Sequence, residues 1–142
     1  MILYHFTAFA LINKIRSEGL TKGALPWNER RDGSCELRPG FQWLTSDPEW
    51  FAQGWCLMGN LPYARNSYRI AVRVPDQYWG RVIRWTDMAG KFRPDSAEVL
   101  NKLGGDTSKW YLYAGKIPPH WFLAVDRNPH EALRAEPNDI VT

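Results

Sequence analysis

Two polar side chains that could take part in chemistry lie in the first apolar stretch of the chain. His5 lies near the end of residues 2–6, a run rich in apolar and aromatic side chains that predicts a β-strand, and Thr7 follows this run. Burying a histidine costs free energy unless its ring nitrogens are hydrogen-bonded. The same two residues also fit a hydrogen-bonded core histidine and an ordinary helix cap. Whether they function therefore depends on whether they face a pocket.

Other common chemical arrangements have little support. The three histidines, His5, His120 and His130, show no metal-ligand spacing with another ligand, and the two cysteines, Cys35 and Cys56, form no C-x-x-C pair. No phosphate-binding glycine loop and no nucleophile elbow occurs. Asp95 and Glu98 are spaced as a helix capping box, which explains this carboxylate pair without catalysis.

The composition is that of a globular protein with an unusual number of indole rings. The chain has 142 residues, 44% of them hydrophobic, and includes 8 Trp, some of which could line a groove or stack on RNA bases. The net charge of +3 gives a mild preference for phosphate-bearing ligands and is no nucleic-acid signature. Without an apolar run long enough to span a bilayer and without a signal peptide, we expect a cytoplasmic protein with no membrane partner.

The order of the elements predicts a single α+β domain over residues 1–142. We expect strands near residues 2–6, 40–45, 67–74, 81–85, 109–114 and 120–125, and helices after residue 7, after Asp47 and over residues 95–103. Residues 21–39 are predicted to be a long loop, and residues from about 127 to 142 a polar tail. Because the helices do not alternate with the strands, mostly antiparallel pairing is favoured.

Two stretches predict which side chains are buried. Alternation in residues 67–74 places Tyr68, Ile70, Val72 and Val74 on one face of a strand. Helical spacing in the first helix places Ala8, Leu11, Ile12 and Ile15 on one face, with Gly19 as a left-handed stop.

Three short motifs, in this order, resemble the ADP-ribosyltransferase superfamily. They are Tyr4-His5-Phe6-Thr7, then Ser17-Glu18-Gly19-Leu20 at a helix end, then Trp43-Leu44-Thr45-Ser46-Asp47-Pro48. More narrowly, the chain is similar to small bacterial and phage members of the histidine–tyrosine–glutamate branch. Residues 110–113 and 117–125 are similar to that family's final hairpin, in which two strands are joined by a proline-containing turn.

The resemblance implies a split antiparallel sheet with a cleft for NAD as co-substrate. His5 matches the histidine that hydrogen-bonds the nicotinamide ribose, and Thr7 and Thr45 stand at further positions of the NAD site. Trp43 takes the place of the aromatic residue that stacks on nicotinamide, and Trp55 is the candidate for a second stacking ring. The implied reaction is loss of nicotinamide through an oxocarbenium-like state, followed by transfer to a protein or nucleic-acid acceptor.

The family's catalytic glutamate has no counterpart at the expected place. Asp106 is the nearest acid before the strand at residues 109–114, and Glu98 lies further upstream. One hypothesis is thus an NAD-dependent ADP-ribosyltransferase, acting as a toxin or phage effector, in which either Asp106 or Glu98 takes the role of the acid. A second is a catalytically impaired member that acts as a binding or inhibitor protein for NAD, ADP-ribose, nucleic acid or a protein. A third is an unrelated RNA-binding α+β domain.

Overall fold

The computed structural model of the protein describes residues 1–29, 35–50, 67–89 and 107–130. Within these ranges the strands are β1 (Leu3–Thr7), β2 (Ala24–Glu29), β3 (Cys35–Pro39), β4 (Phe41–Thr45), β5 (Tyr68–Val72), β6 (Val82–Arg84), β7 (Trp110–Ala114) and β8 (Phe122–Arg127). The α-helices are α1 (Ile12–Glu18) and α2 (Trp85–Ala89), and short 3₁₀ turns include Phe9–Leu11, Asp76–Arg81 and Pro119–Trp121. No helix in the described ranges is long and apolar enough to cross a membrane.

A six-stranded antiparallel sheet forms the centre of the fold. Its strand order is β6-β7-β4-β1-β5-β8, while β2 and β3 pair only with each other. Every pairing between described strands is antiparallel. The predicted α+β class with mostly antiparallel pairing is therefore confirmed.

The two central strands are paired over only part of their length. β1 pairs with β5 from Leu3 opposite Val72 to Thr7 opposite Tyr68. It pairs with its other neighbour, β4, at the position where Tyr4 lies opposite Thr45. Past that position the ladder between β1 and β4 ends, and His5 and the rest of β1 have no strand partner on this side.

Apolar side chains cover both faces of the sheet. Leu112 and Tyr113 are successive residues of β7, so they point to opposite faces, and they belong to two separate core clusters. The Tyr113 cluster is covered by α1 through Ile12, and the Leu112 cluster is covered by Trp85 of α2. Because α1 has only seven residues, its stability depends on burying this apolar side rather than on helix propensity.

Several predicted elements agree with the structure. Tyr68, Ile70, Val72 and Val74 are all buried, which confirms the face predicted from their alternation. Gly19 has a φ of 86° and ends α1 through an N–H bond to the carbonyl of Ile15, as predicted.

Two predictions about the start of the first helix were wrong. Thr7 is the last residue of β1, and the cap position of the 3₁₀ turn that precedes α1 is Ala8, with no side-chain cap. Leu11 is 47% exposed, although Ala8 and Ile12 are buried as predicted. The cause is the 3₁₀ turn at residues 9–11, which rotates Leu11 away from the face expected for a continuous α-helix.

The segment predicted as a loop over residues 21–39 contains β2 and β3. These strands pair with each other and have a register shift between Pro26 and Asn28. Such a pair carries no long alternation of apolar and polar residues, so the sequence signal for a strand is weak.

The last two strands do not form the hairpin that the family resemblance implied. β7 pairs with β4 and β6, whereas β8 pairs with β5 at the other edge of the sheet. The connection crosses the end of the sheet, where Ile117 forms an isolated bridge with Leu20. Its two prolines, Pro118 and Pro119, lack the N–H groups that a tight hairpin ladder would need there.

The remaining predictions on secondary structure lie outside the described residues. They are the helix following Asp47, the helix over residues 95–103 with Asp95 and Glu98, and most of the polar tail. The part of the tail that is described belongs to the fold, since β8 continues to Arg127 and Asn128 is buried.

Candidate functional site

His5 lies on β1, and its side chain contacts the backbone of β4 where the pairing of these two strands ends. Its Nδ1 lies 2.8 Å from the main-chain oxygen of Trp43. Because a carbonyl oxygen can only accept, Nδ1 carries the hydrogen and donates it. Nε2 then has a free lone pair in the neutral ring, and no described residue bonds to it.

The protonation state of His5 follows from its surroundings. Burial lowers the pKa of His5 below the usual 6.5, and the bond to the Trp43 carbonyl offsets only part of this effect. The ring is therefore neutral at physiological pH. A neutral imidazole with Nδ1 committed offers Nε2 as a hydrogen-bond acceptor for a hydroxyl group.

A cleft of about 460 Å³ opens beside His5. It is formed by the unpaired part of β1, the facing part of β4, the side of α1 and the segment at residues 18–24. This volume lies in the range of small-molecule and cofactor sites. Most of the cleft wall is apolar, and its polar side chains are His5, Thr7, Lys14, Glu18, Thr21, Lys22, Gln42 and Thr45.

Two threonines line this cleft together with His5. Thr7 is 4% exposed, and no described residue exchanges a hydrogen bond with its hydroxyl group. Thr45 is also buried, and its Oγ1 accepts the N–H of Asp47 at 3.0 Å. No described residue accepts the Thr45 hydroxyl hydrogen.

Three indole rings meet at the other wall. The ring of Trp43 packs against Trp85 at 5.5 Å and against Trp110 at 5.9 Å between centroids. Its Nε1–H donates to the carbonyl of Ala24 at 3.0 Å, which fixes the ring orientation. Trp43 and Trp110 both line the cleft. Trp110 is only 2% exposed, so the partly buried ring of Trp43 is the aromatic surface that this wall presents to the cleft.

Gln42 holds the loop wall of the cleft in place. Its Oε1 accepts the N–H of Gly23 at 3.0 Å, and its Nε2 donates to the carbonyl of Gly115 at 3.1 Å. With a side chain that is 2% exposed, Gln42 satisfies both backbone groups away from water. The segment leading into β2 is thereby tied to β4 and to the turn after β7.

The charged side chains of the cleft belong to α1 and the segment that follows it. Lys14 and Lys22 are exposed cations, and Glu18 is an exposed carboxylate. Among the described lining residues, Glu18 is the sole carboxylate and the two lysines are the sole fixed cations. This end of the cleft thus carries a small positive excess.

Most residues predicted for the site line one cleft. His5, Thr7, Trp43 and Thr45 are all part of its wall, although they come from two strands that share little pairing. Trp55, Asp106 and Glu98 lie outside the described residues, so their assignments stay predictions.

The cleft-wall residues that sequence reasoning did not assign to the site include Lys14, Lys22, Gln42 and Trp110. A signal for Gln42 was present, because a polar residue between Phe41 and Trp43 in an apolar strand needs buried partners. The lysines gave no comparable signal, since exposed lysines on a helix and a loop are ordinary. No group of three potential metal ligands occurs within the described ranges.

Comparison of the chain with known proteins identifies no relative. No protein-family model matches the chain, and no match was found among curated proteins or solved structures.

Proposed function

We propose that the chain binds NAD in the cleft between β1 and β4 and transfers its ADP-ribose group to a macromolecule. The observation that carries this proposal is the state of His5, whose Nδ1–H is committed to the Trp43 carbonyl at 2.8 Å. The free Nε2 can then accept a hydrogen bond from a ribose hydroxyl. This is the role that the resemblance to ADP-ribosyltransferases assigns to His5.

Other parts of the cleft fit the same ligand. The partly buried ring of Trp43 suits a flat ring such as nicotinamide, and buried Trp110 packs against it. Lys14 and Lys22 suit the negative charge of a diphosphate. The end of pairing between β1 and β4 supports a split sheet of the kind that the resemblance implies.

The reaction would break the glycosidic bond between the ribose carbon and the nicotinamide nitrogen. The bonding electron pair leaves with nicotinamide, and an oxygen or nitrogen nucleophile of the acceptor bonds to the same carbon and loses its proton. Aromatic packing would hold the nicotinamide ring, and His5 would fix the ribose. Both effects act through orientation. A carboxylate near the developing positive charge would stabilise it, and Asp106 is the candidate for that role.

The test is to incubate the pure protein with NAD and to measure nicotinamide release together with the melting temperature. With NAD at about 100 times its Kd, binding stabilises the folded state by about 2.7 kcal/mol. For a chain of 142 residues this corresponds to roughly 9 °C. His5→Ala should remove both the shift and the release.

His120→Ala is the matched control, because His120 lies outside the cleft. It should keep the thermal shift and the release of nicotinamide. If NAD neither stabilises the wild-type protein nor loses nicotinamide, the proposal is wrong.

A second function is favoured by the carboxylate content of the cleft. Its sole described carboxylate, Glu18, is exposed at the end of α1, and Asp106 is shorter than the glutamate of the family. This favours a protein that binds NAD or ADP-ribose without catalysing transfer. Stabilisation by NAD that depends on His5, with no release of nicotinamide, would support this second function and exclude the first.

A further inference from the structure

A second groove lies at the end of the sheet where β5 and β8 pair. It has a volume of about 550 Å³, and its wall includes Arg73, Gln77, Tyr78, His120, Trp121 and Leu123. We call it the Tyr78 groove. The cleft between β1 and β4 shares no lining residue with it, and Pro118 separates the two by packing against Gly19 on the cleft side.

The floor of the Tyr78 groove is an aromatic stack. Trp121 is 8% exposed and packs edge-on against buried Tyr113, at 5.5 Å and 88°. Tyr78 covers Trp121 at 5.2 Å with an angle of 37° between the rings, and it remains 38% exposed. The inner ring is therefore held by the core, and the outer ring presents apolar area to solvent.

The charge around the Tyr78 groove is positive. Arg73 lines it, and no carboxylate does among the described residues. Arg81 lies close by, with its guanidinium next to Gly115, and Lys116 follows Gly115 in the chain. Asp76 is the one acid on the two segments that frame the groove, residues 73–81 and 115–123.

These features distinguish between two kinds of partner. An exposed aromatic ring beside cations suits a nucleobase with its neighbouring phosphates, because every base can stack and every phosphate is anionic. An aromatic groove that takes proline-rich peptides needs no such positive excess. The charge therefore favours nucleic acid, and the exposed ring favours a single strand whose bases are unpaired.

We propose that the Tyr78 groove binds single-stranded nucleic acid, with one base stacked on Tyr78 and adjacent phosphates near Arg73. This binding does not need NAD. A strand held there would run next to the end of the cleft formed by Gly19 and Leu20, since Gly19 packs on the Ile117–Pro118 backbone.

The test uses fluorescence anisotropy with a labelled oligothymidylate of about twelve nucleotides, a length within the range of known single-strand sites. Tyr78→Ala should weaken binding about tenfold through loss of one stacked base, whereas Tyr78→Phe should bind like the wild type. Arg73→Gln should reduce the slope of log K against log salt by about 0.7. Arg84→Gln, at an exposed arginine of β6 outside the groove, is the matched control and should leave affinity nearly unchanged.

Unfolding curves of each variant show that lost affinity does not come from lost structure. His5→Ala should retain the oligonucleotide affinity, because His5 lies in the other cavity. The proposal is overturned if the wild type shows no salt-dependent binding, if Tyr78→Ala binds as tightly as the wild type, or if His5→Ala abolishes binding. Capture of a proline-rich peptide in place of the oligonucleotide would also overturn it.

Discussion

Gly19 is a position where one added methyl group should destabilise the fold measurably. It follows α1 with φ 86° and ψ −169°, a backbone region that residues other than glycine almost never adopt. A Cβ atom built there would lie 2.1 Å from the carbonyl oxygen of Ile117. That oxygen belongs to backbone and cannot rotate away. Gly19→Ala therefore requires either the helix end or the Ile117 segment to move.

The magnitude follows from the two effects. Holding alanine in this region costs about 1–3 kcal/mol. Moving the Ile117 segment weakens the two backbone bonds between Leu20 and Ile117, at 2.9 and 3.0 Å, each contributing about 1 kcal/mol net. The sum is about 3–5 kcal/mol. At about 2.1 cal/mol/K per residue, this lowers the melting temperature of 142 residues by roughly 10–17 °C.

Two other glycines separate these effects in the same assay. Gly40 has φ 91° but open space around its Cβ position, so Gly40→Ala should cost only the backbone strain, about 1–2 kcal/mol. Gly80 has open space and no positive φ, so Gly80→Ala should change stability by less than about 0.5 kcal/mol. Thermal and urea unfolding of all three variants would give the comparison. A loss for Gly19→Ala no larger than that for Gly40→Ala would refute the close contact with Ile117.

Three further outcomes are expected. Gln42→Met should lower the free energy of unfolding by about 1–3 kcal/mol in urea, because it removes the hydrogen-bond partner of two partly buried backbone groups. A loss below about 0.5 kcal/mol would contradict this. Because burial lowers the pKa of His5, the unfolded chain takes up this proton more readily than the folded one. The stability contribution of His5 is complete above pH 6.5 and is lost as the pH falls below that value. Unfolding curves at pH values around and below 6.5 should show this loss of stability in the wild type and a smaller loss in His5→Gln. Equal losses in the two proteins would contradict the prediction. Arg69→Met should destabilise the fold by about 1–3 kcal/mol, because Arg69 donates to the Pro48 carbonyl at 2.8 Å and stacks 4.7 Å from Trp50. Asp126→Asn should cost less than about 1 kcal/mol, because the ion pair of Asp126 with Arg69 is partly exposed. Equal effects of the two variants in calorimetry would contradict this order.

The cleft and the Tyr78 groove present different chemical groups on one small domain. The first presents a hydroxyl acceptor, His5 Nε2, between an aromatic wall and two lysines. The second presents an exposed aromatic ring beside Arg73. Because they share no lining residue, the two proposals can fail separately, and the His5 and Tyr78 variants report on different cavities.

Local features of the sequence predicted several parts of the structure correctly. Alternation over residues 67–74 predicted the buried face of β5, because successive side chains of a strand point to opposite sides. Gly19 predicted the end of α1, because only glycine enters that backbone region without strain. Both predictions depend on neighbours in the chain and need no knowledge of the fold.

Which strands pair was decided by the tertiary structure. Alternation assigns a residue to a face but does not name the neighbouring strand, so β7 and β8 looked like a hairpin although they lie near opposite edges of the sheet. Alternation in the β2–β3 pair is confined to the short run Cys35–Arg38, and with Pro26, Gly33 and Pro39 nearby the sequence indicated a loop. Pairing depends on contacts between residues far apart in the chain, and short local patterns do not encode them.

For the candidate site too, the sequence predicted some features and only the tertiary structure decided others. The residue types of His5, Thr7 and Trp43 indicated a possible ligand site from the sequence alone. The end of pairing between β1 and β4, the 2.8 Å bond that commits Nδ1, and the free Nε2 came only from the packed sheet. A histidine has two ring nitrogens, and the partner that selects between them here lies 38 residues away.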